Sequence, residues 1–274
     1  PKLGVEVLPG PILDGVAPHM RKSFFCYENA DDAVDVAHVL KETGAEVLVN
    51  FLPVGSDEAT RAYAQAALDS GVAFANGIPS FIVSDPVWAK KFEDAGIPAA
   101  GDDIKSQLGA TILHRVLMQL MNDRGIHVKE TYQLNVGGNT DFENMKQEGR
   151  LTTKRISKTE AVTSVLPYDV PTRIGPSDYV PFLDDEKVCY LHAIGHNFGD
   201  NPINVNLKLS VQDSPNSAGV MIDVIRALAI AQDRGLKGPM FSISAYSFKH
   251  PPKQIPDFEG KERVEQFIRG EIDA

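Results

Sequence analysis

The chain has 274 residues, 43% of them hydrophobic, enough to bury a core in one large domain or two modest ones. A net charge of −10 and a pI near 5.2 exclude general binding to nucleic acid or to an anionic membrane, because no broad positive field faces a phosphate backbone. No apolar run is long enough to span a membrane, and Cys26 and Cys189 stand far apart with no metal spacing, so the expectation is a soluble, cytoplasmic protein with reduced structural thiols.

In chain order, Val5-Glu6-Val7-Leu8 is a short apolar run halted by Pro9-Gly10-Pro11. The pattern predicts a helix from Asp31 to Thr43 with Gly44 as its left-handed stop. Glu46 to Leu52 reads as a buried strand, Ser56 as the cap of a helix from Asp57 to Ser70 closed by Gly71, and Val72 to Asn76 as the next strand. Ser84-Asp85-Pro86 caps a third helix that ends at Gly96, and Ile97 to Ala100 leads into Gly101. Strand, crossover helix and strand build a parallel sheet. Residues 31–104 therefore read as half of a doubly wound α/β domain, with ligands expected beyond the strands' carboxyl ends, at Asn50 to Gly55, Asn76 to Pro79 and Gly101 to Ser106.

From Asp103 or Ser106 as cap, a helix is expected to run to about Asp123, with Ile112, Leu113, Val116, Leu117, Leu120 and Met121 on its apolar side and Gly125 as its end. Residues 126–213 change character. Their β-rich segments at 127–136, 188–194 and 204–211 predict an antiparallel or mixed second sheet. Ser214-Pro215 opens a helix to Gly235 that returns the chain to the first domain, and a short amphipathic segment from Glu259 to Arg269 follows Pro251-Pro252.

The chemistry concentrates between Gly101 and Lys158, and each feature there also has an ordinary reading. Asp102-Asp103 suits a helix start, Lys154 and Lys158 suit a solvated helix face, and Gly137-Gly138 signals a turn that is neither a Walker loop nor a dinucleotide fingerprint. His192 and His196 have the spacing of a helical metal site but lie in a strand-like context, which favours polar or packing roles.

Five ordered motifs carry a resemblance. Gly101-Asp-Asp-Ile-Lys-Ser106, Leu134-Asn-Val-Gly-Gly-Asn139 with Asp141, Lys154-Arg-Ile-Ser-Lys158, Asp213-Ser-Pro-Asn-Ser-Ala-Gly219 and Ser244-Ala-Tyr-Ser-Phe-Lys-His-Pro-Pro252 resemble the successive motifs of the myo-inositol-1-phosphate synthase family, in its bacterial and archaeal branch. The resemblance implies an NAD-dependent isomerase that turns glucose 6-phosphate into inositol phosphate by oxidation at carbon 5, enolisation, intramolecular aldol closure and reduction. It implies Lys154, Lys187, Lys249 and Asp103 as catalytic groups, and Ser106, Asn135, Asp141, Lys158 and Asp213 as groups that hold the sugar phosphate or its lysines. Asn50, Gly55, Asn76, Gly77, Asp102 and Asp103 are the cofactor contacts it suggests. A divalent metal or an ammonium ion is compatible with the carboxylates, and a homotetramer is implied.

The fold expected is an incomplete Rossmann-like doubly wound sheet, residues 1–104 and 214–274, plus an α+β catalytic and tetramerisation domain, residues 105–213. Family members begin with a strand and a glycine-rich pyrophosphate turn; residues 1–50 supply neither, and the expectation is a chain without that part. Two alternatives stay open at this point: an NAD-linked polyol-phosphate oxidoreductase without cyclisation, and a non-catalytic oligomerisation remnant.

Overall fold

Two four-stranded sheets organise the chain. The computed structural model describes Gly4 and residues 6–21, 29–146 and 152–274, the last stretch with side chains from Ile156 onward. Cys26 lies outside the described residues.

The first sheet is parallel. Helix α1 (Val36–Glu42) leads to β1 (Val47–Asn50), α2 (Asp57–Ser70) to β2 (Ala73–Asn76), and α3 (Pro86–Ala95) to β3 (Pro98–Ala100). Gly71 and Gly96 close α2 and α3 at φ 77° and 75°, where a side chain would strain the backbone. All of β2 is buried, as a parallel strand covered on both faces must be. Phe74 packs with Ala64 and Phe92 of α2 and α3, while Ala73 and Ala75 pack with Val224, Leu228 and Ala231 of a helix from much later in the chain.

The second sheet follows helix α4 (Ala110–Asp123) and consists of β4 (His127–Gly137), β5 (Thr172–Tyr179), β6 (Glu186–His196) and β7 (Pro202–Gln212), in the order β5-β4-β6-β7. It is mixed: β4 runs parallel to β5 and antiparallel to β6. Two helices, α5 (Thr140–Asn144) and α6 (Thr152–Thr163), lie between β4 and β5 in sequence. Met118 and Met121 of α4, with Val162 of α6, cover one face of the sheet. On the other face Tyr132, Leu134 and Tyr190 stay exposed.

Helix α7 (Asp213–Asp233) returns the chain to the parallel sheet, where β8 (Gly238–Pro239) adds a fourth strand beside β3. Helices α8 (Phe241–Ser247) and α9 (Asp257–Arg269) complete that layer.

Three local expectations are corrected. Neither Asp103 nor Ser106 caps α4, which starts at Ala110 after Gly109; Asp103 has φ 61° and its carboxylate is committed elsewhere. Ser56 makes no cap bond to α2. Instead the Asp14 carboxylate accepts from the Glu58 and Ala59 N–H groups at 2.7 and 2.9 Å, so the N-terminal segment supplies that cap. Strands β5 and β8 lie where the sequence showed no strand signal.

Candidate active site

The carboxyl end of the parallel sheet faces the inner side of β4 across a cavity of about 380 Å³, within the usual range for small-molecule sites. Asp103, Ser106, Asn135, Asp141, Lys158, Lys187, Asp213 and Lys249 all line it, although they come from positions up to 146 residues apart. Lys154 falls on α6, but its side chain lies outside the described residues.

Asp103 ties three segments together. Its Oδ1 accepts from Lys249 Nζ at 2.7 Å and its Oδ2 from the Ser157 hydroxyl of α6 at 2.7 Å. Lys249 Nζ also donates to the Ile104 carbonyl at 2.6 Å, and the Lys249 N–H to the Asp103 carbonyl at 2.7 Å. Paired backbone bonds between Asp102 and His250 hold the same two loops side by side.

On the opposite wall Lys187 of β6 donates to Asp213 at 2.8 Å. Burial pulls the Lys187 ammonium down, but the Asp213 carboxylate, with Asp141 beyond it, outweighs that effect and raises it above the ordinary lysine value. That direction keeps Lys187 charged at neutral pH. Lys105, which burial pushes down to about 8, stands behind the wall: its ammonium donates to the Ala245 and Tyr246 carbonyls and to Asp257. Asp257 also accepts from fully buried Arg115 of α4 at 2.6 Å, and Arg115 reaches the Ala161 carbonyl of α6. This buried triad fixes α4, α6 and α9 around the site.

The turn after β4 is a matter of close packing. A Cβ on Gly137 would lie 2.5 Å from the Phe142 ring, and one on Gly138 would lie 2.5 Å from the Asp184 nitrogen. Asn139 then caps α5 through Phe142 N–H while its Nδ2 donates to Asp185 and Asp213 at 3.3 Å.

The suggested cofactor contacts divide. Gly77 and Asp103 line the cavity, while Asn50, Gly55, Asn76 and Asp102 do not. Asn50 donates to Asn76 at 2.9 Å and Asn76 to Asp102 at 2.7 Å. The Asp102 carboxylate takes four further donors, from Ile82 and Val83 N–H and from the backbone and hydroxyl of Ser84. Complete burial pushes Asp102 above the ordinary carboxylate range, with the Asn76 and Ser84 donors pulling the other way. These groups brace the rim from beneath.

Sequence reasoning missed Gln133, which lines the cavity beside Asn135, and the Lys105, Arg115 and Asp257 triad. His192 and His196 are bonded to Asn206 and Asp200, each at 2.6 Å, which agrees with polar roles. Among the described residues no group of three or more His, Cys, Asp or Glu could hold a metal ion. Cys189 is buried, and that burial pushes its thiol up to about 11.

Comparison with known proteins gives the family. The family profile described as myo-inositol-1-phosphate synthase matches residues 109–214. Inositol-3-phosphate synthase of Corynebacterium glutamicum is 53% identical over 276 residues, covering 98% of this chain and 76% of the relative. The enzyme of the same name from Mycolicibacterium smegmatis is 54% identical over 278 residues, with the same coverage of both. Among solved structures, a myo-inositol-1-phosphate synthase-related protein from Thermotoga maritima superimposes with a TM-score of 0.80 at 26% identity, covering 92% of this chain and 75% of that one. With identity above half across nearly all its length, the chain belongs to the myo-inositol-1-phosphate synthase family.

Proposed function

We propose that the protein is an inositol-3-phosphate synthase, an isomerase that converts D-glucose 6-phosphate into 1D-myo-inositol 3-phosphate. The observation that carries this reading is the convergence of Lys158, Lys187 and Lys249, with Asp103, Asp141 and Asp213, on one cavity of a strongly acidic chain.

A doubly charged phosphate and a developing enolate oxygen both require cations in a site that excludes water. Lys158 and Ser106 bind the phosphate, and Asn135 and Asp141 orient the sugar hydroxyls. Lys187 and Lys249 place their ammonium groups where negative charge builds during enolisation and ring closure. Asp213 and Asp103 hold those two ammonium groups in position at 2.8 and 2.7 Å. Lys154, on the evidence of its motif alone, exchanges the proton of the hydroxyl that is oxidised.

The rim formed by Phe51 to Val54 and Gly77 to Pro79, beyond the carboxyl ends of the parallel strands, is the place assigned to a dinucleotide. It is an apolar lip, and a Cβ on Gly77 would sit 2.8 Å from the Phe51 ring and 2.9 Å from the Asn50 carbonyl oxygen, so glycine there lets the ends of β1 and β2 pack closely beneath the rim. NAD, when bound, supplies the acceptor and donor of hydride at carbon 5. Gly77 and the neighbouring rim would hold it, braced by Asn50, Asn76 and Asp102. The division of labour assigns NAD to residues 1–104 and 214–274 and assembly to residues 105–213, with the catalytic groups drawn from both, Lys154 and Lys187 from the second and Asp103 and Lys249 from the first.

A homotetramer built on the second sheet accounts for the exposed Tyr132, Leu134 and Tyr190 and for the open edge of β7. No helix among the described residues is long and apolar enough to cross a membrane. The proposed setting is the cytoplasm, with the product entering inositol phospholipid synthesis.

The test is product analysis with glucose 6-phosphate and a small amount of NAD. Cyclic inositol phosphate in molar excess over NAD is expected. Accumulation of reduced cofactor without a cyclic product would overturn the assignment.

A further inference from the structure

Behind the cavity wall a line of buried side chains runs from β6 to β5 across the inner face of β4. The Thr131 hydroxyl lies 2.7 Å from the His192 carbonyl and 2.7 Å from His114 Nε2. His114 Nδ1 lies 3.2 Å from Gln133 Oε1, Gln133 Nε2 donates to Asn135 Oδ1 at 3.2 Å, and Asn135 Nδ2 donates to the Gly175 carbonyl at 3.1 Å. Each of the four side chains in this line is at most 3% exposed, and the last two reach the cavity.

Both ends of the line are carbonyl oxygens, which only accept. Its five contacts call for five hydrogens. The threonine, a neutral imidazole and the two carboxamides offer one each along the line, which is four. Burial holds His114 down to about 4, so the ring stays neutral at neutral pH and the fifth hydrogen is absent.

Where the shortfall falls depends on the ring. With the proton on Nδ1, the ring donates to Gln133, both carboxamides keep the orientations just described, and the shortfall sits at Thr131, away from the cavity. With the proton on Nε2, the shortfall moves to the Gln133 side, and both carboxamides can turn over.

We propose that His114 is a positioning residue: through Gln133 it fixes which edge of the Asn135 carboxamide faces the sugar. The proposal rests on the reading of the cavity as the sugar-phosphate site.

Three variants of the full chain test it. In H114N the shorter carboxamide still donates to Gln133 and no longer needs Thr131, so hydrogens and contacts balance. H114L and Q133M remove the link. The expected result is a KM for glucose 6-phosphate raised about threefold to tenfold in H114L and Q133M, the size of one lost hydrogen bond, with kcat little changed. H114N stays within about twofold of wild type. If H114L does not fold, H114N against Q133M carries the comparison.

Equal KM values in wild type and Q133M overturn the proposal. So does an H114N as impaired as H114L, since the ring would then act only as filling. A wild type that neither binds nor converts glucose 6-phosphate overturns the functional reading instead. High-resolution crystal structures still decide the positioning in that case: an Asn135 carboxamide equally fixed in wild type and Q133M refutes it.

Discussion

Replacing Lys249 by methionine separates what this lysine does for the fold from what it does for the reaction. The pair it forms with Asp103 is desolvated, with side-chain exposures of 15% and 4% and a separation of 2.7 Å. Removing one partner of such a pair leaves the other charge less well compensated in a poorly hydrated place, which costs about 3–5 kcal/mol. The Ser157 hydroxyl stays on Asp103 Oδ2 at 2.7 Å, so K249M belongs at the lower end, about 3 kcal/mol. Adding D103N removes the undercompensated charge, and the double variant K249M/D103N recovers about half of that loss. Urea unfolding followed by circular dichroism measures both. K249M within about 0.5 kcal/mol of wild type, or a double variant in which the two losses simply add, would refute the claim that the pair is buried and coupled. Both variants are expected to be inactive, and loss of turnover in K249M at a denaturant concentration where it is fully folded marks Lys249 as a chemical group.

Further predictions concern the opposite wall, the buried histidine and the turn. K187M lowers kcat about 10²–10³-fold, as loss of a fixed cation at a developing oxyanion does, with a smaller change in KM; steady-state kinetics checks the split, and an equal rise in KM with unchanged kcat would contradict it. The His114 value in the folded chain, about 4 against 6.5 for the free side chain, is depressed, so the unfolded chain takes up that proton first. Its contribution is therefore full above pH 6.5 and is lost as pH falls toward 4, about 3 kcal/mol in all. Wild type minus H114N stability, measured by urea unfolding across that window, should fall by that amount, and a flat difference would count against a buried neutral ring. G138A, whose new Cβ would meet the Asp184 and Val180 backbone, destabilises by about 1–3 kcal/mol, while G175A, with open space around it, stays within about 0.5 kcal/mol; thermal unfolding compares the two.

Much of the parallel sheet was legible because its signals are local. Gly71 and Gly96 stop α2 and α3, Asp85 caps α3, and the apolar runs between them are too short for anything but buried strands. The second sheet was harder to read because β4 inverts the usual alternation. Its polar residues Thr131, Gln133 and Asn135 point inward, at 3%, 1% and 0% exposure, while Tyr132 and Leu134 face outward at 40% and 39%. Polar residues aimed at a core together with apolar ones aimed outward are what a strand shows when one face builds a site and the other meets another surface. That inversion was present in the sequence as the run Thr-Tyr-Gln-Leu-Asn, and it is the signal that would have pointed to Gln133. The role of Asp103 came from the resemblance alone and not from its local pattern. Its partners Ser157 and Lys249 are 54 and 146 residues away, and no local rule distinguishes such a carboxylate from a helix cap. The Asp14 cap on α2, from 44 residues upstream, escaped reading in the same way.

The most direct measurement is a crystal structure of the protein with glucitol 6-phosphate, the open-chain sugar phosphate that lacks the reactive aldehyde. The account predicts its phosphate within hydrogen-bonding distance of Lys158 and Ser106, and its carbon chain between Lys187 and Lys249. A phosphate bound outside this cavity, or a sugar lying beyond reach of both of those ammonium groups, would contradict it.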